Sequence, residues 1–191
     1  TTRELVVRVA DQYGNGVEGL AVSWSATAGS VAAAGSATDT DGVARMTWTL
    51  GTTAGSQSAT AGVPMLSGSP ATFTVAATAA QPTRIAMHEG DGQVATAGTA
   101  VDIAPSVRVT DDFGNPIANV AVTFAVASGG GSVTGATTVT SDSGVATVGS
   151  WTLGTVAGGQ TPAATVGGPA RLALSAAAQA GAAASLASGS G

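Results

Sequence analysis

The chain contains one sequence pattern twice, and this internal repeat limits its fold more than any other feature. The segment Asp11-Gln12-Tyr13-Gly14-Asn15 returns 100 positions later as Asp111-Asp112-Phe113-Gly114-Asn115. The chain therefore consists of two copies of one folding unit. Further matches in the same order pair Val22-Ser23-Trp24 with Val122-Thr123-Phe124, Gly29-Ser30-Val31 with Gly131-Ser132-Val133, Gly42-Val43-Ala44 with Gly144-Val145-Ala146, Trp48-Thr49-Leu50-Gly51-Thr52 with Trp151-Thr152-Leu153-Gly154-Thr155, and Pro70-Ala71 with Pro169-Ala170.

Each copy shows the alternation of a β-strand. Apolar Leu20, Val22 and Trp24 are separated by small or polar residues, and the second copy repeats this pattern. A period of two places one face of a strand in a core and the other face in solvent. Turn sequences rich in Gly, Asn and Asp separate the strands at short intervals, which is typical of a β-sandwich. The sequence therefore predicts an all-β protein with two tandem sandwich domains.

Composition narrows the function classes. The chain has no Cys, and all six of its basic residues are Arg, which excludes thiol chemistry and covalent catalysis by Lys. A net charge of −5 without a basic block argues against nucleic acid as a partner. No apolar run reaches the length of a membrane span. The single His88, beside Glu89, is expected in a solvated loop, so we predict no catalytic residue, no cofactor and no metal.

The ordered motifs resemble a known family. The series D-x-[YF]-G-N, V-x-W or V-x-F, D/S-G-V-A and W-T-L-G-T resembles the group 1 bacterial Ig-like domains. These are the tandem modules of invasin and intimin-type outer-membrane adhesins, and the resemblance covers nearly the whole chain. It implies two Ig-like β-sandwiches in an extracellular protein of the bacterial cell surface. It does not imply receptor binding, which belongs to the terminal domains of those adhesins.

The two copies differ at their beginnings. A strand-like segment, Pro82–Met87, precedes the second copy, whereas only ten residues precede Asp11 in the first. We therefore expect residues 1–80 to form a sandwich that lacks its first strand, and residues 81–179 to form a complete one. Residues 180–191 are expected to form a tail that resembles a spare first strand.

This arrangement suggests a filament subunit. A sandwich without an edge strand exposes unpaired backbone groups, and a strand from another molecule completes it. Repeated head-to-tail, such pairing gives an open filament whose partners are further copies of the chain, neighbouring fibres or the cell surface. The hypothesis assigns the donor strand to Ala182, Ala184 and Leu186, and the acceptor sandwich to Val7, Val9, Val22 and Trp24.

The alternative is a two-repeat spacer segment of a long intimin- or invasin-like adhesin. Leu186 is the only large side chain of the tail, and its burial would contribute roughly 1.5–3 kcal/mol. Ile85 and Met87 form a stronger apolar pair in the second copy. The energetics of the tail therefore leave both interpretations open.

Two further residue sets have a structural and a functional interpretation. Repeated Asp and Asn residues suit a turn, although their oxygens are also cation ligands. Aromatic residues at repeated strand positions suit a sandwich core, although they also form carbohydrate platforms. The turn and core interpretations are favoured for Asp11, Asn15, Asp111, Asp112 and Asn115, and for Trp24, Trp48 and Trp151 respectively.

Overall fold

The computed structural model describes residues 1–166 and 171–184 of the chain, and every structural statement below refers to them. The described residues form β-strands and connecting loops, with no helix among them. The chain divides into a first unit, Thr1–Ala79, and a second unit, Ala80–Gly191. The predicted all-β class is confirmed.

The first unit consists of two antiparallel sheets. One sheet has the strand order β1-β5-β3, and the other has the order β4-β2-β6-β7. The strands that build them are β1 (Thr2–Arg8), β2 (Ala21–Ala26), β3 (Ser30–Val31), β4 (Gly35–Ala37), β5 (Val43–Thr49), β6 (Gly55–Gly62) and β7 (Ala71–Ala77).

Alternation along these strands builds the core of the first unit. In the β1–β5 ladder Leu5 lies opposite Met46, and both side chains are buried. Trp24 on β2 and Trp48 on β5 are 4% and 0% exposed, so the core interpretation of these aromatics is confirmed. The remaining buried members of this core are Val22, Ala44, Ala59 and Ala61.

The second unit has more strands around a similar core. Its sheets have the orders β14-β10-β8, β13-β11-β16-β18-β9 with β17 beside β16, and β12-β15. The strands are β8 (Arg84–Glu89), β9 (Gln93–Thr96), β10 (Ser106–Thr110), β11 (Ala121–Ser128), β12 (Gly131–Thr134), β13 (Thr137–Val139), β14 (Val145–Thr147), β15 (Ser150–Leu153), β16 (Gly158–Val166), β17 (Arg171–Ala173) and β18 (Ala176–Gln179).

The core of the second unit repeats that of the first. Val122 and Phe124 take the places of Val22 and Trp24, and all four side chains are buried. Trp151, the equivalent of Trp48, is also 0% exposed and belongs to a second cluster of this unit. The repeat in the sequence is therefore a repeat of core positions.

The structure corrects one sequence prediction in this unit. His88 and Glu89 lie at the end of strand β8 and not in a loop after it. The ladder between β8 and β10 extends through a bulge, which pairs Glu89 with Ser106 and so continues the strand past His88. Both side chains are exposed.

Candidate strand-acceptor site

Strand β1 ends one sheet of the first unit. Its partner on one side is β5, and no described strand pairs with its other side. In the second unit the equivalent strand, β10, lies between β14 and β8. An unpaired strand edge carries backbone N–H and C=O groups that are available to a further strand. The edge of β1 is therefore a candidate site for binding an extended segment.

A groove lined by both apolar and polar side chains lies beside this edge. We call it the acceptor groove; its volume is about 380 Å³. Val9 and Val22 are buried beneath it, Val7 is half-buried, and Leu66 is largely exposed at its side. The other apolar side chains of the acceptor groove are Ala10, Ala61, Val63 and Ala71, and its polar side chains are Arg8, Asp11, Gln12, Ser67 and Ser69.

The predicted acceptor residues separate into two groups. Val7, Val9 and Val22 line the acceptor groove, but Trp24 does not. The Trp24 indole lies deeper in the core, stacked on Phe73 with 6.4 Å between ring centroids, and its N–H donates to Ser36 Oγ at 2.9 Å. Trp24 therefore supports the core beneath the groove.

The predicted donor residues are described only in part. Ala182 and Ala184 are exposed and lie outside any described strand. Leu186 lies outside the described residues. The predicted pairing joins two molecules, so it stays a prediction.

Asp11 and Asp111 build turns, which confirms the turn interpretation for these two residues. Asp11 Oδ1 accepts the backbone N–H groups of Tyr13 and Asn15, both at 2.9 Å. Asp11 Oδ2 accepts the side-chain amide of Asn15 at 3.0 Å. The hydrogen bond from the Asn15 side chain is the largest cause that lowers the pKa of Asp11 below 3.8. Its carboxylate oxygens are thus engaged within the turn.

Asp111 repeats this turn in a buried setting. Its Oδ2 accepts the side-chain amide of Asn115 at 2.8 Å and also the backbone N–H of Ala80 at 3.0 Å. Burial raises the pKa of Asp111, but the hydrogen bonds from Asn115, Ala80 and Phe113 outweigh it and lower the value to about 2. Among residues 1–166 and 171–184 no cluster of three His, Cys, Asp or Glu residues is placed to hold a metal ion.

The aromatic residues of the same turns are exposed, whereas the tryptophans are buried. Tyr13 is 80% exposed and Phe113 is 62% exposed, each at the tip of its turn. Each is one isolated ring, and no second described aromatic forms a platform with it.

Two buried glutamines were missed by the sequence reasoning. Gln57 on β6 accepts the N–H of Gly51 at 2.8 Å and donates to the carbonyls of Gly51 and Thr53. Gln160 on β16 makes the same bonds to Gly154 and to the carbonyl of Val156. The signal in the sequence is the return of Gln at the repeat offset within a strand of small residues.

Comparison with known families decides the nature of the first unit. Residues 1–84 match the family described as bacterial Ig-like domain (group 1). The first unit is a bacterial Ig-like domain of group 1. This confirms the resemblance of the repeated motifs, and the second unit carries those motifs again.

Solved structures share the Ig-like fold. InvD of Yersinia pseudotuberculosis matches with a TM-score of 0.60 and 19% identity, over 99% of this chain and 56% of that chain. The D0-D1 domain of intimin matches at 22% identity with a TM-score of 0.37, over 92% of this chain and 87% of that chain. The Escherichia coli adhesin FdeC matches at 22% identity with a TM-score of 0.46, over 92% of this chain and 59% of that chain.

The likeness to InvD shows the fold and nothing finer. The TM-score of InvD supports two Ig-like sandwiches in this chain, and the lower scores of the other two add no argument. A search of curated proteins finds no match. Within the described ranges, no helix has the length and hydropathy needed to cross a membrane.

Proposed function

We propose that the chain is a structural segment of a bacterial cell-surface protein, in which two Ig-like units act as a spacer. The units are residues 1–80 and 81–179, and their role is mechanical and not catalytic. The observation that carries the proposal is the repetition of one sandwich, each copy with its own buried core. A repeated domain with an independent core extends a protein without adding chemistry.

The proposal has a direct test in cells that make the parent protein. Deleting residues 1–191 should abolish the surface activity of the parent protein while leaving its amount at the surface unchanged. Inserting two unrelated Ig-like repeats of equal length should restore that activity, because a spacer contributes length and not contacts. Failure of the unrelated repeats to restore activity would overturn the spacer function.

A second candidate is a filament subunit that assembles head-to-tail by donating its C-terminal strand. The unpaired edge of β1 favours it, because a strand paired there would continue the β1-β5-β3 sheet. In this proposal residues 180–191 are the donor tail, with Leu186 as its apolar anchor. The tail of each molecule would enter the first unit of the next and would build a non-covalent extracellular fibre.

Electron microscopy and native mass spectrometry test the filament. The full chain should form threads, while a chain truncated after Gln179 or carrying Leu186→Ser should remain monomeric. Ala183→Ser is the matched control, because it replaces one small side chain with another at a tail position outside the predicted donor residues. Monomers of the full chain at all concentrations would exclude strand donation by the tail.

A further inference from the structure

The carboxylate of Asp111 is buried without a cation beside it. Its side chain is 0% exposed, and the described ion pair of this turn joins Arg84 to the neighbouring Asp112 at 3.9 Å. A buried charge costs free energy unless hydrogen bonds or an opposite charge compensate it. Hydrogen-bond donors must therefore stabilise the charge of Asp111.

Four N–H groups supply this compensation. Asp111 Oδ1 accepts the backbone N–H groups of Phe113 and Asn115, each at 2.9 Å. Asp111 Oδ2 accepts the side-chain amide of Asn115 at 2.8 Å and the backbone N–H of Ala80 at 3.0 Å. A carboxylate has about four acceptor sites, so this one is fully used.

Three of these donors belong to the turn itself, but the N–H of Ala80 does not. Ala80 lies 31 residues earlier in the chain and is the first residue of the second unit. The turn is also closed by backbone bonds, from Gly114 N–H to the carbonyl of Asp111 and from Asp111 N–H to the carbonyl of Asn115, both at 3.1 Å. The bond from Ala80 therefore holds the segment that enters the second unit.

A second bond fixes the same segment just before strand β8. The N–H of Thr83 donates to the carbonyl of Thr110 at 3.0 Å. Gln81 and Pro82 lie between the two bonds. The ring of Pro82 fixes its own φ and restricts Gln81 to extended conformations. Residues 80–83, which we call the strap, therefore keep little conformational freedom.

The strap shortens the connection between the two units. Strand β7 ends at Ala77, so Thr78 and Ala79 are the residues between that strand and the bond from Ala80. Without this bond, the stretch free to rotate would extend to the bond of Thr83 and would include residues 78–82.

We propose that the Asp111 carboxylate is the anchor of the segment that connects the two units. Asp111 acts as a positioning residue, because it holds Ala80 and thereby limits the residues that can bend. A hydrogen bond to a charged acceptor is stronger than one between neutral groups, and burial strengthens it further. The anchor goes beyond the spacer and the filament, because it needs neither of them.

The chemistry of the anchor explains why a charge is used at this position. Asp111 Oδ2 accepts two N–H groups, one from Asn115 and one from Ala80. An amide at position 111 has one oxygen and one NH₂ group, and the NH₂ group cannot accept either bond. A neutral side chain of the same shape would therefore satisfy the turn on one side and would release the strap on the other.

Amide hydrogen exchange of the full chain, resolved by NMR, tests the anchor. The Ala80 amide should be protected although it lies outside any described strand, and Asp111→Asn should speed its exchange at least ~10-fold. The Thr83 amide should keep its protection, because its acceptor is a backbone carbonyl. Exchange of Ala80 at the rate of an unstructured peptide in the wild type, or equal protection in the wild type and Asp111→Asn, would overturn the anchor.

Asp11→Asn is the matched control for the turn. Asp11 accepts the same bonds from Tyr13 and Asn15 within its own turn, and the described bond of Ala80 goes to Asp111. This variant should leave the exchange of Ala80 unchanged. Faster exchange of Ala80 in Asp11→Asn would mean that the strap is not held by Asp111, which would contradict the proposal.

A second control separates release of the strap from loss of the fold. The amides of Val109 and Phe124 donate to the carbonyls of Gly144 and Ala136 inside the second unit, and they should stay protected in Asp111→Asn. If they also lose protection, the variant has unfolded. The wild type then decides, through the scalar coupling across the hydrogen bond between the Ala80 nitrogen and Asp111 Cγ, and absence of that coupling would overturn the anchor.

Limited proteolysis measures the freedom of the connection directly. A protease that cleaves after small residues should cut Asp111→Asn within residues 78–82 at least ~10-fold faster than it cuts the wild type or Asp11→Asn there, because cleavage needs a mobile backbone. Equal rates in the three proteins would show that the bond from Ala80 does not limit the connection, and the anchor would be rejected.

These results are separable from those of the proposed functions. Truncation after Gln179 removes the predicted donor tail and should leave the protection of Ala80 unchanged, so failure of the filament would leave the anchor in place. Restoration of surface activity by unrelated repeats tests the spacer alone. Fast exchange of Ala80 in both the full and the truncated chain would overturn the anchor and would leave the spacer and filament proposals untouched.

Discussion

The two units bury equivalent tryptophans, but the indole N–H groups of these two residues differ in their hydrogen bonding. The N–H of Trp48 donates to the carbonyl of Ala28 at 2.9 Å, whereas the N–H of Trp151 has no hydrogen-bond partner among the described residues. Five positions separate Trp24 from Gly29, and seven separate Phe124 from Gly131. An insertion of two residues in the second unit thus accompanies the loss of the carbonyl acceptor.

The glycines that follow the insertion show that the surrounding geometry is preserved. Gly29 has a φ of 76° and Gly131 a φ of 88°, and a Cβ on either would collide with a carbonyl oxygen of the opposite strand. Those oxygens belong to Thr49 and Thr152, which are equivalent residues. The fold therefore holds the approach of two strands constant while the loop before it changes length.

The largest expected effect comes from the buried glutamines. Gln57→Leu and Gln160→Leu each leave an N–H and two carbonyls of the adjoining loop without their partner, which should cost about 3 kcal/mol of unfolding free energy. The loss should be at least as large for Gln160, which is 1% exposed against 3% for Gln57. Denaturant unfolding of each variant measures it.

The control for this prediction is Ser56→Ala, which changes an exposed polar residue of the same strand. It should shift the unfolding free energy of the first unit by less than about 0.5 kcal/mol. A Gln57→Leu variant as stable as this control would mean that the loop finds other partners.

The tryptophans give the next largest effect. Trp48→Phe removes a hydrogen bond and leaves the Ala28 carbonyl unpaired, whereas Trp151→Phe removes an N–H that has no described partner. The first substitution should therefore cost about 1 kcal/mol more than the second. Unfolding followed by hydrogen exchange of individual amides measures the loss of unfolding free energy in each unit separately. Equal losses would show that the Trp151 indole is hydrogen-bonded in solution.

The carboxylates of Asp11 and Asp111 should stabilise the fold in a way that depends on pH. The folded-state pKa of Asp111 is lowered from 3.8 to about 2, so its contribution to stability is complete above 3.8 and is lost as the pH falls towards 2. The melting temperatures of the wild type and Asp111→Asn should differ above pH 4 and converge between pH 4 and pH 2.

Asp11→Asn is the matched variant in the first unit. The pKa of Asp11 is also lowered, so its effect should fade below 3.8, but the carboxylate lacks a bond like that from Ala80. Its effect on the melting temperature should therefore be the smaller of the two. If the melting temperatures of the wild type and Asp111→Asn differ by the same amount at pH 4 and at pH 2, the charge of Asp111 does not stabilise the fold.

The sequence predicted the strands that repeat as apolar alternation and the turns that repeat as Asp and Asn, but it missed the two buried glutamines. Val22 and Trp24 reveal a strand and a core because alternation reports burial directly. Gln57 lies in a strand of Ser, Ala and Thr, where alternation is weak. Its side chain bonds the carbonyls of the loop just before that strand, four and six residues earlier, and no apolar pattern reports those bonds. The short segment before Asp11 predicted that no strand of this chain pairs with the outer side of β1, whereas the parallel pairing of β9 with β18 leaves no signal in the alternation.

The smallest expected effect tests an exposed ion pair that only the first unit has. Arg45 lies 3.6 Å from Glu4, and both side chains are more than half exposed, whereas Thr147 and Ala104 occupy these positions in the second unit. Solvent screens such a pair, so Arg45→Ala should cost less than about 0.5 kcal/mol at moderate salt. The loss should diminish further as salt is added. A larger, salt-independent loss would mean that the aliphatic stem of Arg45 stabilises the β1–β5 ladder by packing, and the uncovered sheet would then depend on it in a way that the second unit does not.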